Sequence, residues 1–462
     1  MAGRDLTDGP VSKALASVSA PMSFGILSVL SVGVVDSYFL GQLGGTPLAA
    51  IGFIFPVVTA FSSLAIGLSA GGNTMVSQSL GREDDPETTA RYALHAVGFS
   101  VLLAALLAGL VFLFYPALFS LMGASPKVLD EIALYMPYWA LSFPLLAMMM
   151  IVNAIFRAHG SGALSAGIMF LAAIVNIGLD PLLIFGWGPI PSLGTEGAAM
   201  ASAAGRGVAV LAAVFFAIRY GYLDVTVACW VKVWDSLKQL VEVGAPAAFS
   251  NAINPAGMAL VTAAVATLGD AAVAGFGAAT RVQALAMVAM FALSSGIGPV
   301  VGQNWGAEKS ERARLALWQA WIFCLGYGVA VGVVLSVFAP VIASAIASDA
   351  SAAQYTREYL MFVGWSLFGY GFVVVTNAAM NARSKALHSM GLSLIRIFAI
   401  YLPLAWIGVL SLGFVGILAA TIATNVIAAF LAVVAARAVG LLETDLGLVA
   451  RPARFVTSFQ RD

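Results

Sequence analysis

Apolar stretches of about 20 residues or more recur along the whole chain, and nothing else limits its fold so strongly, because each is long enough to cross a hydrocarbon core of about 30 Å. Twelve can be counted, at approximately 14–40, 48–76, 89–115, 131–157, 162–186, 195–220, 238–266, 274–302, 312–345, 353–381, 386–411 and 414–440. Of the 462 residues 61% are hydrophobic and only 10% are charged, against about 25% charged in a soluble domain. Only helices and closed barrels satisfy their backbone groups in lipid, and these runs are too long and continuous for barrel strands. The chain therefore reads as an all-α polytopic membrane protein with twelve transmembrane helices.

The first stretch has no small-residue cleavage site after a short apolar core, so it reads as a retained span rather than a removed signal. Two cysteines, Cys229 and Cys324, exclude a disulfide framework and a cysteine-rich metal site. His95, His159 and His388 are far apart and lack ligand spacing. No metal or other cofactor is expected. With the N-terminus placed in the cytoplasm, seventeen of the 22 Lys and Arg residues fall on the inner side and two on the outer. The remaining three, Arg206, Arg281 and Arg396, fall within spans. Basic residues concentrate in short cytoplasmic loops, so both termini are expected inside. Ala- and Gly-rich usage points to a bacterial chain, hence to the inner membrane.

Shifted by 225 residues, the sequence meets itself. SAPMSF at 19–24 lies over GAPAAF at 244–249, and LSAGGNTMVSQSLG at 68–81 over LSSGIGPVVGQNWG at 293–306. Gly71, Gln78 and Gly81 thereby meet Gly296, Gln303 and Gly306. Further on, at slightly smaller offsets, NAIFRA (153–158) matches NAAMNA (377–382), and DPLLIFG (180–186) matches LPLAWIG (402–408). The chain thus reads as two six-helix halves. Six spans is an even number, so both halves start on the same side, the parallel-repeat arrangement of many secondary transporters. The expected domains are an N-terminal lobe at 1–220, a cytoplasmic connection at 221–237, and a C-terminal lobe with a tail at 238–462. Trp230 and Trp234 suit a short interfacial helix in the connection.

Comparing the copies isolates the acids. Asp36 aligns with Val261, Asp180 with Leu402 and Asn176 with Phe398, so the acidic positions belong to the first half alone. Asn176 and Asp180 lie one turn apart on one helix face, and both acids fall in the outer halves of their helices. Ionisable groups inside a membrane are costly and mark ion or proton pathways. Static packing, or contact with the outer interface, is the plainer alternative. Asn176, Ser37 and Ser202 can offer neutral oxygens to a proton or Na⁺. Two close carboxylates in a low dielectric resist joint ionisation, which suits a group that takes and releases a proton. Pro21, inside the same helix as Asp36, removes a backbone bond; Pro246 repeats it, so a static kink is an equal reading.

The stretch VDSYFLGQLG followed by LAAIGF (35–53), together with NIGLDPLLIFG and GAAMAS (197–202), resembles the multidrug and toxic compound extrusion (MATE) family, most closely its prokaryotic DNA-damage-inducible branch. The resemblance covers essentially the whole chain. It implies a V-shaped twelve-helix antiporter that exports organic, often cationic or amphiphilic, compounds in exchange for H⁺ or Na⁺. It also gives Asp36, Asn176 and Asp180 the cation-site roles and implies a hinge at Pro21. Ser202 takes the place of a threonine found in some members, and Asn153 that of a polar residue of helix four near the same network. The partners implied are a drug-like small molecule and lipid, with the protein a monomer. Helices seven and ten lack the acids that some relatives use for Na⁺, which tilts the expectation toward H⁺. Arg281 is a candidate charge partner for Asp36 or Asp180, with snorkelling to the interface the alternative.

Two other classes compete. A lipid-linked precursor flippase of the same superfamily would want a cationic central cavity, for which three span arginines are available. An intramembrane aspartyl protease would need G-x-G-D and Y-D sequences, where this chain has only IGLD at 177–180. No GxxxxGK[ST] loop is present for direct ATP drive, and nothing suggests nucleic-acid binding. The chain is expected not to be an enzyme.

Overall fold

The computed structural model describes residues 5–189, 191–226, 230–347 and 349–442. Cys229 and the tail beyond residue 442 lie outside them. The first half contains α1 (Val11–Leu43), α2 (Gly45–Gly81), α3 (Pro86–Leu121), α4 (Pro126–Ala158), α5 (Gly162–Ile184) and α6 (Gly194–Arg219). The second half contains α7 (Val233–Ala266), α8 (Asp270–Ala286), α9 (Val288–Gly306), α10 (Ser310–Ile346), α11 (Ala350–Val363), α12 (Leu367–Ala382), α13 (Ala386–Leu394), α14 (Leu402–Leu412) and α15 (Phe414–Ala438). Among the described residues eleven helices, with α11–α12 and α13–α14 each counted as one, are long and apolar enough to cross a membrane. The number rises to twelve when α8 and α9, which meet at a 46° bend, are counted as one span. Large apolar side chains such as Leu211 and Leu410 are more than 70% exposed, as lipid-facing positions require.

The second half departs from regular helix in three places where the first does not. Besides the bend at Met287, a 3₁₀ turn at Gly364–Ser366 separates α11 from α12, and a π-helical turn at Ile395–Tyr401 joins α13 to α14. Pro403 follows the last and has no N–H for the carbonyl four residues back, but its repeat mate Pro181 lies inside regular α5, so the proline permits the wider turn without dictating it. By contrast α1 runs unbroken through Pro21, and α7 through Pro246. Instead of a separate interfacial helix, Trp230 lies in a turn and Trp234 in the first turn of α7, both strongly exposed. Helix α7 thus begins inside the segment read as a connection.

The repeat is also written in the backbone. Left-handed residues recur at Gly44 and Gly269, and at Glu83 and Glu308, each pair 225 apart. The halves meet by exchange: the start of α1 packs into the core of the second half, and α7 packs on α2. Glycines set this contact, since a Cβ on Gly67 would meet the backbone of Ala248, and one on Gly296 the side chain of Ser19.

Hydrogen bonds between the halves gather at the end of the molecule that holds the N-terminus. Gln78 donates through Nε2 to the Ala382 carbonyl at 2.7 Å, and its repeat mate Gln303 donates to the Ala158 carbonyl, also at 2.7 Å. Thr74 Oγ1 donates to the Asn381 carbonyl at 3.1 Å. Gln303 Oε1 accepts from the Leu6 amide at 2.9 Å, and Asn304 Nδ2 donates to the Leu6 carbonyl at 3.0 Å. Toward the opposite end of α1 and α2, Val34, Tyr38 and Phe55 are all more than 60% exposed.

Candidate functional site

Helices α5 and α6 approach closely because α6 presents glycines to α5. A Cβ on Gly197 would lie 2.4 Å from the Leu183 carbonyl, and one on Gly205 would lie 2.7 Å from the Ala172 carbonyl and 3.2 Å from Asn176 Cβ. Small residues at such contacts let membrane helices pack backbone to backbone. On this seam α5 carries Asn176 and Asp180, and α6 carries Ser202 and Arg206, each pair one turn apart. Asp36 reaches the seam from α1.

The Asp180 side chain is fully buried, and no donor from the protein reaches either carboxyl oxygen. The nearest ionisable group is the carboxyl of Asp36, close enough for the two charges to act on each other. In the orientation that satisfies both ends of its amide, Asn176 donates to Asp36 Oδ1 at 3.3 Å and accepts from Ser202 Oγ at 3.2 Å and the Ser202 amide at 3.0 Å. Four of the residues singled out in the sequence therefore converge.

The others do not. Asn153 is buried, but no hydrogen bond joins it to the acids. It lies eleven residues along α4 from Ser142, about 16 Å at helical rise, toward the end that holds the N-terminus. Its Oδ1 finds no partner. Ser37 turns away and donates to the Gly33 carbonyl at 2.8 Å. Pro21 sits in the inner half of α1, near the contact of Ser19 with Gly296. Arg281 is exposed on α8 and pairs with neither acid.

The cation that faces the acids is Arg206, whose sequence neighbours gave it no matching charge. It donates through one terminal nitrogen to Ser142 Oγ on α4 at 2.7 Å, and lies in electrostatic range of Asp36 and of the Tyr135 phenol. It makes no ion pair; among the described residues the two ion pairs are Arg82–Asp84 and Lys309–Asp8, both at helix ends. The signal for Arg206 was its spacing of four from Ser202, which puts both on one face. Chemically, the pocket holds two carboxyls against one guanidinium. One proton or one monovalent cation on the acid pair leaves it electrically neutral.

A sequence model of the MatE family matches the chain twice, over residues 21–182 and 246–407. The chain belongs to the MATE family. The two matched segments begin 225 residues apart, at Pro21 and Pro246, the offset at which the sequence repeats. The MATE chain is 35% identical to an FAD transporter of Shewanella oneidensis over 91% of its own length and 93% of the relative's. It is 24% identical to YpnP of Bacillus subtilis, a probable multidrug resistance protein, over 89% and 93%. A crystal structure of the Vibrio cholerae MATE transporter VcmN in the bent form superposes with a TM-score of 0.88 at 28% identity, covering 93% of this chain and 97% of that one. Members of the MATE family are membrane transporters rather than enzymes, and its relatives include proteins named for multidrug resistance.

Proposed function

We propose that this protein is a secondary antiporter that exports organic amphiphiles in exchange for H⁺, coupled through Asp36 and Asp180. The observation that carries the reading is the meeting of these two carboxyls in the core of the first half, at positions where the second half is apolar. Arg206 balances one carboxylate, so the other is neutral only while it holds a proton. Loss of that proton leaves a buried negative charge, which is costly in low dielectric unless the surroundings rearrange. Asp36 shares α1 with Pro21, where the missing backbone bond makes bending cheapest. Charge in the pocket can thus be transmitted to the helix that docks one half on the other.

With the termini in the cytoplasm of a bacterial inner membrane, as the distribution of basic residues supports, the Gln78–Gln303 contacts close the cytoplasmic side. The exposed stretches of α1 and α2 around Val34, Tyr38 and Phe55 then lie toward the outside, where cargo would be released and a proton accepted. One relative is named an FAD transporter and others are named for multidrug resistance or export, which favours an organic cargo, with flavin nucleotides among the candidates. The three span arginines do not converge on a central cavity: Arg206 and Arg396 lie in opposite halves and Arg281 is exposed.

Reconstituted protein, given ΔpH or ΔNa⁺ separately, should expel ethidium or FAD under ΔpH. Asp36→Asn and Asp180→Asn should each abolish that flux at unchanged membrane levels. Undiminished efflux by either variant would refute the coupling site, and efflux driven only by ΔNa⁺ would replace H⁺ by Na⁺.

A further inference from the structure

The second half contains a charged group that the coupling reading does not use. Arg396 is 93% buried by side chains of its own half, at 7% exposure. One terminal nitrogen donates to Asn254 Oδ1 at 2.7 Å, and the guanidinium lies 4.4 Å from the centre of the Tyr370 ring. Its Nε has no partner. The ionisable groups close enough to act on it are the phenols of Tyr370 and Tyr401; no carboxylate is among them. A buried cation with no counter-charge is costly, and an arginine with free donors is a fork shaped for a carboxylate or phosphate.

Two further features point to a ligand. Arg396 is the second residue of the π-helical turn at Ile395–Tyr401, and single π turns inside helices collect at functional sites. This stretch also repeats helix five, where Asn176 aligns with Phe398, two residues beyond Arg396. The second half thus places a cation within a turn of the level at which the first half begins its acid site. Asn254 and Tyr370, the two side chains that touch the guanidinium, are each only partly buried, and Phe398, two residues beyond Arg396, is 41% exposed, so the arginine is not sealed off by them.

We propose that Arg396, with Asn254 and the ring of Tyr370, forms an oxyanion subsite that anchors the phosphate or carboxylate of an exported aromatic compound. This rests on the export reading above and extends it: the first half handles the coupling cation and the second the anionic group of the cargo. The Tyr370 ring and Phe291, in edge contact at 6.2 Å between centroids, supply aromatic surface beside the charge.

The test compares flavins that differ in one charged group. Binding of riboflavin, FMN and carboxymethylflavin is measured by flavin fluorescence quenching on the full-length protein in phosphatidylcholine nanodiscs. Wild type should prefer FMN or carboxymethylflavin to neutral riboflavin by about tenfold or more, the scale of hydrogen bonds to a charged group; which anion wins tells phosphate from carboxylate. Arg396→Gln should erase the preference while riboflavin binding stays within about twofold, and Arg396→Lys should retain part of it. No preference in wild type, a preference that survives Arg396→Gln, or an equal loss for all three flavins would overturn the subsite. So would loss of the preference when phosphatidylglycerol is added, since the arginine would then serve a lipid headgroup. Binding is read without a gradient, so a protein that binds FMN in this way but exports nothing counts against the export reading alone. One that exports ethidium under ΔpH but shows no anion preference counts against the subsite alone.

Discussion

Gly81→Ala is the sharpest perturbation of the contact between the halves. A Cβ at this position would lie 2.0 Å from the Gln303 carbonyl oxygen, whereas ordinary contact begins near 3.4 Å. The two backbones must therefore part by about 1.4 Å, or tilt, because the obstructing atom is backbone and cannot rotate away. The repeat mate gives the same geometry: a Cβ on Gly306 would meet the Gln78 carbonyl at 2.3 Å. Overpacking of this kind costs about 1–3 kcal/mol, and if it acts only on the closed arrangement it shifts the open-to-closed ratio at this end roughly 5- to 150-fold. The paired Gln78 and Gln303 bonds would weaken with it. Nitroxide labels at Glu87→Cys and Glu311→Cys, one exposed site in each half, with Cys229 and Cys324 replaced by alanine, allow electron–electron distance measurement in nanodiscs. Gly81→Ala and Gly306→Ala should each raise the long-distance population at least fivefold. Gly98→Ala, whose added Cβ meets nothing within 4 Å, should leave it unchanged. A distance distribution for Gly81→Ala that matches wild type would refute the reasoning.

Three further outcomes follow from the same structure. Gly205→Ala should push α6 off Asn176, lower the melting temperature by an amount equivalent to about 1–3 kcal/mol and reduce export, whereas Gly207→Ala, with open space around its Cβ, should do neither. Arg206→Gln should abolish ΔpH-driven export while Arg281→Gln preserves it, measured as dye efflux from proteoliposomes at matched protein. His159 caps α4, stacked on Tyr222 at 3.9 Å between centroids, and burial pushes its pKa down from 6.5 to about 4. The unfolded chain therefore binds more protons between those values, so stability is intact above pH 6.5 and falls as the pH drops toward 4. His159→Gln should flatten the melting temperature over that window.

The membrane made much of the fold legible, since a lipid solvent demands long apolar runs and tolerates charge only where something uses it. The twelve runs fall on the eleven long apolar helices and the bent α8–α9 pair, and helical spacing puts Asn176 and Asp180 on one face, to which the packing of α1 and α6 on α5 brings Asp36 and Ser202. What stayed hidden depends on tertiary packing. Arg206 had no acid at helical spacing, and its proximity to Asp36 arises only when Gly205 lets α6 close on α5. Arg281 looked equivalent in sequence, but it faces outward. Asn153 is intramembrane and polar like the site residues, yet its depth along α4 separates it from them. The π turn before Pro403 left a sequence signal, a proline inside an apolar run, but a proline can equally kink a helix or leave it unbroken, as Pro21 does here.

The central claim is that one proton resides on the Asp36–Asp180 pair and leaves when cargo binds. Proton release can be read directly with a pH indicator in weakly buffered detergent solution as saturating ethidium is added. Wild type should release about one proton per protein, and Asp36→Asn and Asp180→Asn should release none. Binding without release in wild type, or release of the same size in either variant, would contradict the account.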